Sequence, residues 1–495
     1  MPELLVVVGD TLLDRDVDGA VRRVCPDAPA PVLDEEATTD RPGGAGLAAL
    51  LAAQGGIREA LRAARQGHRV ALVTALAGDA NGARLCELLN AAGVAVYAAD
   101  LPGATPEKIR LRAGGQVLLR LDRGGARQPP RDPSEATLAV LRDASAILVS
   151  DYGRGLTGHP AVRAALSAAT APIVWDPHPH GAVPVPGVRL ATPNLAEVRA
   201  LSGDAGKGSR LSTAVRGAGV LRDRWQAAAV AVTMGAGGAV LCQAGPTPLV
   251  VPAPAGADGD TCGAGDRFAA TAALALAHGA LVSEAVQEAV AGATAFVAAG
   301  GASSAWSPAA PPAVSPAVSP AVAEPPAAAP APVGLDEAGR IVADVRARGG
   351  TVVATGGCFD LLHAGHVATL EAARNLGDCL VVCLNSDAGV RALKGPDRPL
   401  NPQADRARLL AALGCVDAVA VFDEPTPAAL LSWLRPDIWV KGGDYAAGGP
   451  DLPEAEVVAQ HGGQTITVPY LAGRSTTRLI TAAQHPETQR SKEKA

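Results

Sequence analysis

Between Ser303 and Gly334 the sequence is almost entirely Ala, Pro, Val and Ser, with a near-repeat of Ala-Val-Ser-Pro. Such a stretch has too few large apolar side chains for a core. Its prolines also break any helical period and remove amide donors that an inner strand needs. The chain must therefore fold on either side of it. We divide it into a first domain over 1–302, a linker over 303–334, a second domain over 335–485 and a polar, frayed tail over 486–495. About thirty residues at ~3.1 Å each make the linker an extended, semi-stiff spacer of up to ~90–100 Å. The full length is 495 residues, 48% hydrophobic and 19% charged, so each flanking block can build its own core.

Both blocks alternate strand and helix. In the first, Leu4–Val8, Val70–Thr74, Ile147–Ser150, Ile173–Trp175 and Val230–Thr233 are short runs, mostly apolar on both faces, as parallel strands covered by helices should be. Val24–Leu33 and Ile109–Leu121 differ. The second alternates around Gly114-Gly115 and predicts a hairpin with one exposed face, part of a small sheet projecting from the main body. After the linker, a helix over Leu335–Arg348 precedes strands at Thr351–Thr355, Leu380–Asn385, Ala418–Phe422, Ile438–Lys441 and Thr465–Val468. This is a smaller, Rossmann-like doubly wound unit.

The net charge of −6 and the lack of a basic tract argue against a nucleic-acid partner. Eight cysteines with no C-x-x-C pair read as reduced thiols of a cytoplasmic protein. The N-terminus lacks a basic region and reads as a first strand rather than a signal peptide, and no apolar run is long enough to span a bilayer.

Two turns carry chemistry. Asp260-Thr261-Cys262-Gly263-Ala264-Gly265-Asp266 leads into a helix over Phe268–His278. Small residues there let backbone N–H groups approach a phosphate at a helix N-terminus, and Asp266 in the first turn is placed to take the proton of a sugar hydroxyl. Arg41-Pro42-Gly43-Gly44-Ala45-Gly46 can close on a polar ligand. Thr192-Pro193-Asn194-Leu195-Ala196-Glu197 offers an amide and a carboxylate to a nucleotide and its Mg²⁺ shell, and Thr233-Met234-Gly235-Ala236-Gly237-Gly238 can line an adenosine site. In the second block, Gly356-Gly357-Cys358-Phe359-Asp360-Leu361-Leu362-His363-Ala364-Gly365-His366 joins a strand to a helix. Its two imidazoles share one helix face beside free amides, which suits a triphosphate. Lys394 and Lys441, in glycine-flanked loops at the carboxyl edge of the sheet, read as phosphate ligands.

In this order and spacing, the first-block elements resemble the ribokinase-like (PfkB) sugar kinases over the whole domain. His363-Ala364-Gly365-His366 resembles the signature of the cytidylyltransferase-like nucleotidyltransferases. More narrowly, Val8-Gly9-Asp10, Arg23–Val32, Gln116–Asp122 and Ser150-Asp151-Tyr152-Gly153-Arg154-Gly155, with Val440-Lys441-Gly442-Gly443-Asp444-Tyr445, look like the bifunctional heptose enzymes of ADP-heptose synthesis. The resemblance implies a ribokinase-like α/β domain linked to a nucleotidyltransferase domain. Asp266 would be the kinase base and Gly263, Ala264 and Gly265 its anion hole. Asn194, Leu195, Ala196 and Glu197, with Thr233, Gly235 and Gly237, would hold ATP; Asp10, Asp14, Gly43, Gly44 and Lys108 would lie at the sugar. In the second half, His363, His366 and Lys394 would serve adenylyl transfer. Gly357, Cys358, Phe359, Lys441, Gly442, Ser475, Thr476 and Thr477 would bind ATP. The implied cofactor is Mg²⁺ with ATP, with no dedicated metal ligands. The partners are sugar phosphates and ATP, without membrane or nucleic acid, and a homodimer through the projecting sheet is the assembly considered.

Two positions depart from the family pattern. Leu47 stands where an asparagine that binds sugar is expected, and Asp176-Pro177-His178 replaces Asp-Pro-Lys. Other readings fit the same residues: a fusion acting on another sugar phosphate or using CTP, or a kinase domain kept as a sugar-sensing module.

Overall fold

The computed structural model describes residues 3–55, 69–124, 129–203, 209–254, 259–302, 331–443 and 453–469. Ser475, Thr476, Thr477, the tail and most of the linker lie outside these residues. The chain forms two compact units, the first drawn from the N-terminal block and the second from the C-terminal one, with 209–212 and 244–252 grouped with the second.

The first unit is built on β1 (Leu4–Gly9), whose six residues are all buried. The long hairpin β2 (Thr11–Val24) and β3 (Pro31–Gly44) follows, then helix α1 (Ala45–Ala53). Next come β4 (Arg69–Leu76), β5 (Val94–Asp100), the hairpin β6 (Glu107–Ala113) and β7 (Gln116–Arg123), β8 (Ala146–Ser150), β9 (Ile173–Asp176) and β10 (Leu190–Ala191). Helix α2 (Leu195–Ser202), β11 (Val230–Thr233), β12 (Ala239–Cys242) and helix α3 (Ala264–Ala277) complete the part that shapes the site. The main sheet has the order β12-β11-β10-β9-β8-β1-β4-β5. It is parallel except where β12 runs antiparallel to β11. All five strands expected in this block are present.

The second sheet has the order β3-β2-β6-β7. The hairpin expected over 109–121 is β6–β7, with Ile109 opposite Leu121. The hairpin β2–β3 is much longer than the Val24–Leu33 segment suggested. It is knitted to its neighbours by partly buried charge: Arg41 meets Asp16 at 2.6 Å, Arg110 meets Asp14 at 2.9 Å, and Arg15 pairs with both Asp40 and Glu107. β7 is an edge strand exposed along its whole length, with Val117 and Leu119 more than half exposed.

In the second unit Ala331–Gly334 lies along a strand edge, Val333 bridging to Val419, ahead of helix α4 (Leu335–Ala347). These four residues were counted in the linker from sequence; here their backbone bonds to Ala411 and Val419. The short strand β13 (Leu249–Val251) groups with this unit. Then come β14 (Val352–Gly357), helix α5 (Ala364–Arg374), β15 (Cys379–Asn385), helix α6 (Asp387–Lys394), helix α7 (Gln403–Ala411), β16 (Ala418–Phe422), β17 (Ile438–Gly442) and β18 (Gln464–Val468). The order β16-β15-β14-β17-β18-β13 is parallel at every pairing described. Leu380, Val381, Val382, Cys383 and Leu384 are fully buried, as a strand covered on both faces requires.

Candidate active sites

Each unit gathers its polar residues at the carboxyl ends of its parallel strands, where open α/β sheets leave a crevice. In the first, β1 ends at Asp10, β8 at Ser150-Asp151, β9 at Asp176 and β11 at Thr233. Gly263 caps α3 in the left-handed conformation with φ of 80°, which favours glycine, and a Cβ there would come within 3.1 Å of Leu47. A Cβ on Gly265 would meet nothing within 4 Å, so the first turn of α3 faces open space.

Asp266, in that turn, is 7% exposed. The Tyr152 hydroxyl donates to both its carboxylate oxygens at 3.0 Å. Burial pushes the Asp266 carboxyl up to about 7; Asp14 adds to the rise, while Tyr152 and Lys108 oppose it. Asp176 is pushed well up by burial and by the charges of Asp266 and Glu197. A cavity of about 180 Å³ opens beside this group, lined by Lys108, Arg120, Asp122, Tyr152, Arg154 and His178, with Leu12 and Glu107.

Of the residues expected at the sugar, Lys108 lines the cavity directly. Asp10 is 5% exposed and accepts the N–H groups of Arg154 at 2.8 Å and Leu156 at 3.2 Å, so it anchors the cavity wall. Asp14 pairs with Arg110, and Gly43 leaves room for it: a Cβ at 43 would lie 2.4 Å from its carboxylate. Gly44, at φ of 62°, lets the backbone pass close to the Asp10 carbonyl. Leu47 is buried with Leu50, Leu51 and Phe296, and packs behind the Gly263 turn as apolar support.

The nucleotide segments also come together. Asn194 bridges to Thr233, which ends β11 just before Gly235 and Gly237. Asn194 and Glu197 form a capping box on α2, the Asn194 side chain accepting from Ala196 and Glu197 and the Glu197 carboxylate accepting from the Asn194 N–H at 2.8 Å. The Leu195 side chain is core, and Ala196 is exposed.

In the second unit Gly357 ends β14, and Cys358 and Phe359 turn the chain, Phe359 at φ of 44°. Asp360, 2% exposed, accepts the N–H groups of Leu400 at 2.7 Å and Asn401 at 3.1 Å and pairs with Arg398. These donors hold its carboxyl below the usual range, overcoming burial. His363 caps α5, its Nδ1 accepting the Gly365 N–H at 3.1 Å. The His363 and His366 rings stack at 3.9 Å, and Phe359 lies 5.3 Å from His366. Burial, then the nearby charges of His363 and Lys394, lower His366 to about 4. Its Nδ1 is buried without a hydrogen-bond partner among the described residues. Lys394 is exposed at the end of α6. Lys441, followed by Gly442, ends β17; its amine is 3.1 Å from Glu454 and 5.1 Å above the Trp439 ring.

Arg406 is a residue that no motif of the sequence singles out. It is fully buried on α7 and donates to the carbonyls of Cys358 at 2.6 Å, Asn385 at 2.9 Å and Asn401 at 3.0 Å, and to Asp387 at 2.8 Å. It staples the turn after β14 to the end of β15. Tyr152, Arg120, Asp122 and Arg154 lay inside quoted motif stretches without roles. Their signal was the motif itself; their partners are far away in sequence.

The model of the pfkB family of carbohydrate kinases matches residues 2–310, and that of the cytidylyltransferase-like proteins matches 354–466. A bifunctional protein HldE of Streptomyces coelicolor is 53% identical over 97% of this chain and 96% of its own. The chain belongs to the HldE family of bifunctional proteins. Two other HldE proteins, from Halorhodospira halophila and Caulobacter sp. strain K31, are 38% and 36% identical, each over 96% of this chain. Kinase and nucleotidyltransferase thus share one chain, and both sites described above fall within the HldE-like span.

Proposed function

We infer that this chain is the bifunctional heptose enzyme of ADP-heptose synthesis. Its first domain phosphorylates D-glycero-β-D-manno-heptose 7-phosphate at O1 with ATP. Its second joins ATP to the heptose 1-phosphate, giving ADP-heptose and pyrophosphate. The observation that carries this reading is a carboxylate poised near neutral pH at a helix N-terminus, beside a cavity with Lys108, Arg120, Arg154 and His178 on its wall. A sugar already bearing a phosphate fits that wall.

In the first reaction the O1 hydroxyl gives its proton to Asp266 as the oxygen attacks the γ-phosphorus and the bond to ADP breaks. A base with a pKa near the working pH is well matched to that transfer. Backbone N–H groups of the Gly263–Gly265 turn face the charge on the transferring phosphoryl group. Burial raises Asp176, Glu197 and Asp266 alike, and the charges of Asp266 and Glu197 add to the rise at Asp176, an arrangement that favours a cation. Asp176 and Glu197 would hold the Mg²⁺ that ATP carries, and the ion would neutralise phosphate charge.

In the second reaction a phosphate oxygen of the sugar 1-phosphate attacks the α-phosphorus and pyrophosphate leaves. The nucleophile is already an anion, so the site needs donors rather than a base. His363, His366 and Lys394, with the α5 amides, supply them, and Lys441 adds another once a phosphate competes with Glu454.

The domain limits given above, cytoplasmic location and self-association through β7 belong to the same proposal. Free cysteines throughout the chain and the apolar exposed residues of β7 support the last two. No helix among the described residues is long and apolar enough to cross a membrane. The deciding experiment is mass analysis of products from the intact chain with a panel of sugar phosphates and nucleoside triphosphates. Heptose 7-phosphate with ATP should give a 1,7-bisphosphate, and ADP-heptose should form only when a separate phosphatase removes the 7-phosphate. Turnover of ribose or fructose phosphate with none of heptose 7-phosphate would overturn the assignment.

A further inference from the structure

The first site holds a contact that the kinase chemistry outlined above does not use. Tyr152 follows β8 on a turn that is pinned from two sides. Asp10 accepts the N–H groups of Arg154 and Leu156, and Asp151 accepts from Gly153 at 2.7 Å, the Thr157 hydroxyl at 2.8 Å and Ala182 at 2.8 Å. The turn therefore has little freedom, and neither does the ring it carries. That ring passes Gly44, where a Cβ would sit 3.5 Å from it, and reaches the α3 turn. Its hydroxyl lies 3.0 Å from both oxygens of Asp266. The same side chain forms part of the cavity wall with Lys108, Arg154 and His178. Tyr152 thus touches both the base and the space where the acceptor would lie.

We propose that Tyr152 is the positioning residue of the kinase base: its hydroxyl donates to the Asp266 carboxylate and holds it turned toward the acceptor hydroxyl. This rests on Asp266 being the base. A phenol centred on two oxygens leaves a lone pair on each. An incoming sugar hydroxyl takes one oxygen while the phenol keeps the other. The groups facing Asp266 explain why such a donor matters. From β2 comes Asp14, from β9 Asp176, itself pushed toward its neutral form, from β6 the cation Lys108, and from the end of β8 the Ser150 hydroxyl. On α3 itself Arg267 turns away, donating to the carbonyls of Leu51 and Gly55. Burial and Asp14 favour the protonated acid; Tyr152, Lys108 and Ser150 favour the anion. Burial and the charge of Asp266, with Asp176 and Asp14 adding to it, push the phenol's own pKa well up, so it stays a donor across the working range.

The test is the pH profile of kinase kcat/KM in the full-length chain, with adenylyl transfer and the melting temperature followed alongside. Asp266→Asn comes first: loss of kinase activity with adenylyl transfer kept confirms the base, and retained activity removes the reading on which this proposal stands. Tyr152→Phe keeps the ring and removes the donor. Its acid limb should move up by about one to two pH units, a hydrogen bond to a charged group converted at 1.36 kcal/mol per unit. The variant should then be about ten- to hundred-fold slower than the parent near pH 6.5 and recover at least about half of its rate at pH 9. An unmoved limb with activity intact overturns the proposal. As a second variant, 3-fluorotyrosine at position 152 keeps the shape and donates more strongly, so its limb should move the other way. If Tyr152→Phe loses its fold, that opposite shift decides alone, and its absence counts against the proposal.

Discussion

Keeping a carboxylate where 7% of the residue meets solvent works against folding and in favour of proton transfer. The Asp266 pKa, about 7, lies above the ordinary 3.8, so the folded chain binds this proton more tightly than the unfolded one. Its contribution to stability is therefore largest below pH 4, declines as pH rises to 7, and stays low above. Asp266→Asn should abolish phosphorylation and yet raise the melting temperature at pH 8 by more than at pH 4, which thermal unfolding at the two pH values will measure. At His366 the sign is opposite, because burial keeps the imidazole neutral in the free chain. NMR should find it titrating near 4 without nucleotide, and rising when ATP brings negative charge to the stacked pair. Replacing His366 with Ala should slow adenylyl transfer ~10²–10³-fold, the scale for losing one donor to a developing charge, with kinase turnover unchanged in the same preparation.

At the scale of elements, α7 owes its placement to one side chain. Arg406→Met preserves volume but leaves the carbonyls of Cys358, Asn385 and Asn401 without their donor. Removing one member of such a buried charged network should cost about 3–5 kcal/mol, seen as an earlier urea transition of the second unit with adenylyl transfer lost and kinase activity kept. This role was not legible in the sequence, since an arginine in a polar stretch reads as a solvent-facing or phosphate-facing charge. The β-strands that were legible, Leu4–Val8 or Leu380–Asn385, are apolar on both faces and need no partner to be recognised. The hairpin β2–β3 was not, because the middle of β2 is Asp-Arg-Asp-Val-Asp, a pattern that looks like loop until Arg41, Arg110 and Arg112 from neighbouring strands are set against it. Asp266 and the His363–His366 pair were legible because local motifs carry them. Tyr152 acquires its meaning only from an aspartate 114 positions later.

For the molecule as a whole, β7 makes a direct prediction. Val117 and Leu119 are 54% and 58% exposed on an edge strand, a surface that isolated soluble domains usually guard with charge. If β7 mediates self-association, the pair Val117→Lys and Leu119→Lys should lower the sedimentation coefficient to that of a monomer without unfolding either unit; an unchanged value would assign association to another surface.

The two buried titrating groups also set the chain's response to its surroundings. Asp266 is raised to about 7 and, in the free chain, His366 is lowered to about 4, on two steps of one route that a phosphatase step separates. A fall from pH 7.5 to 6.5 crosses the first value and stays well above the second. Mild acidification therefore withdraws ionised base from the entry step before it charges the free second site. Of the two sites, the first is the more sensitive to protons near neutrality.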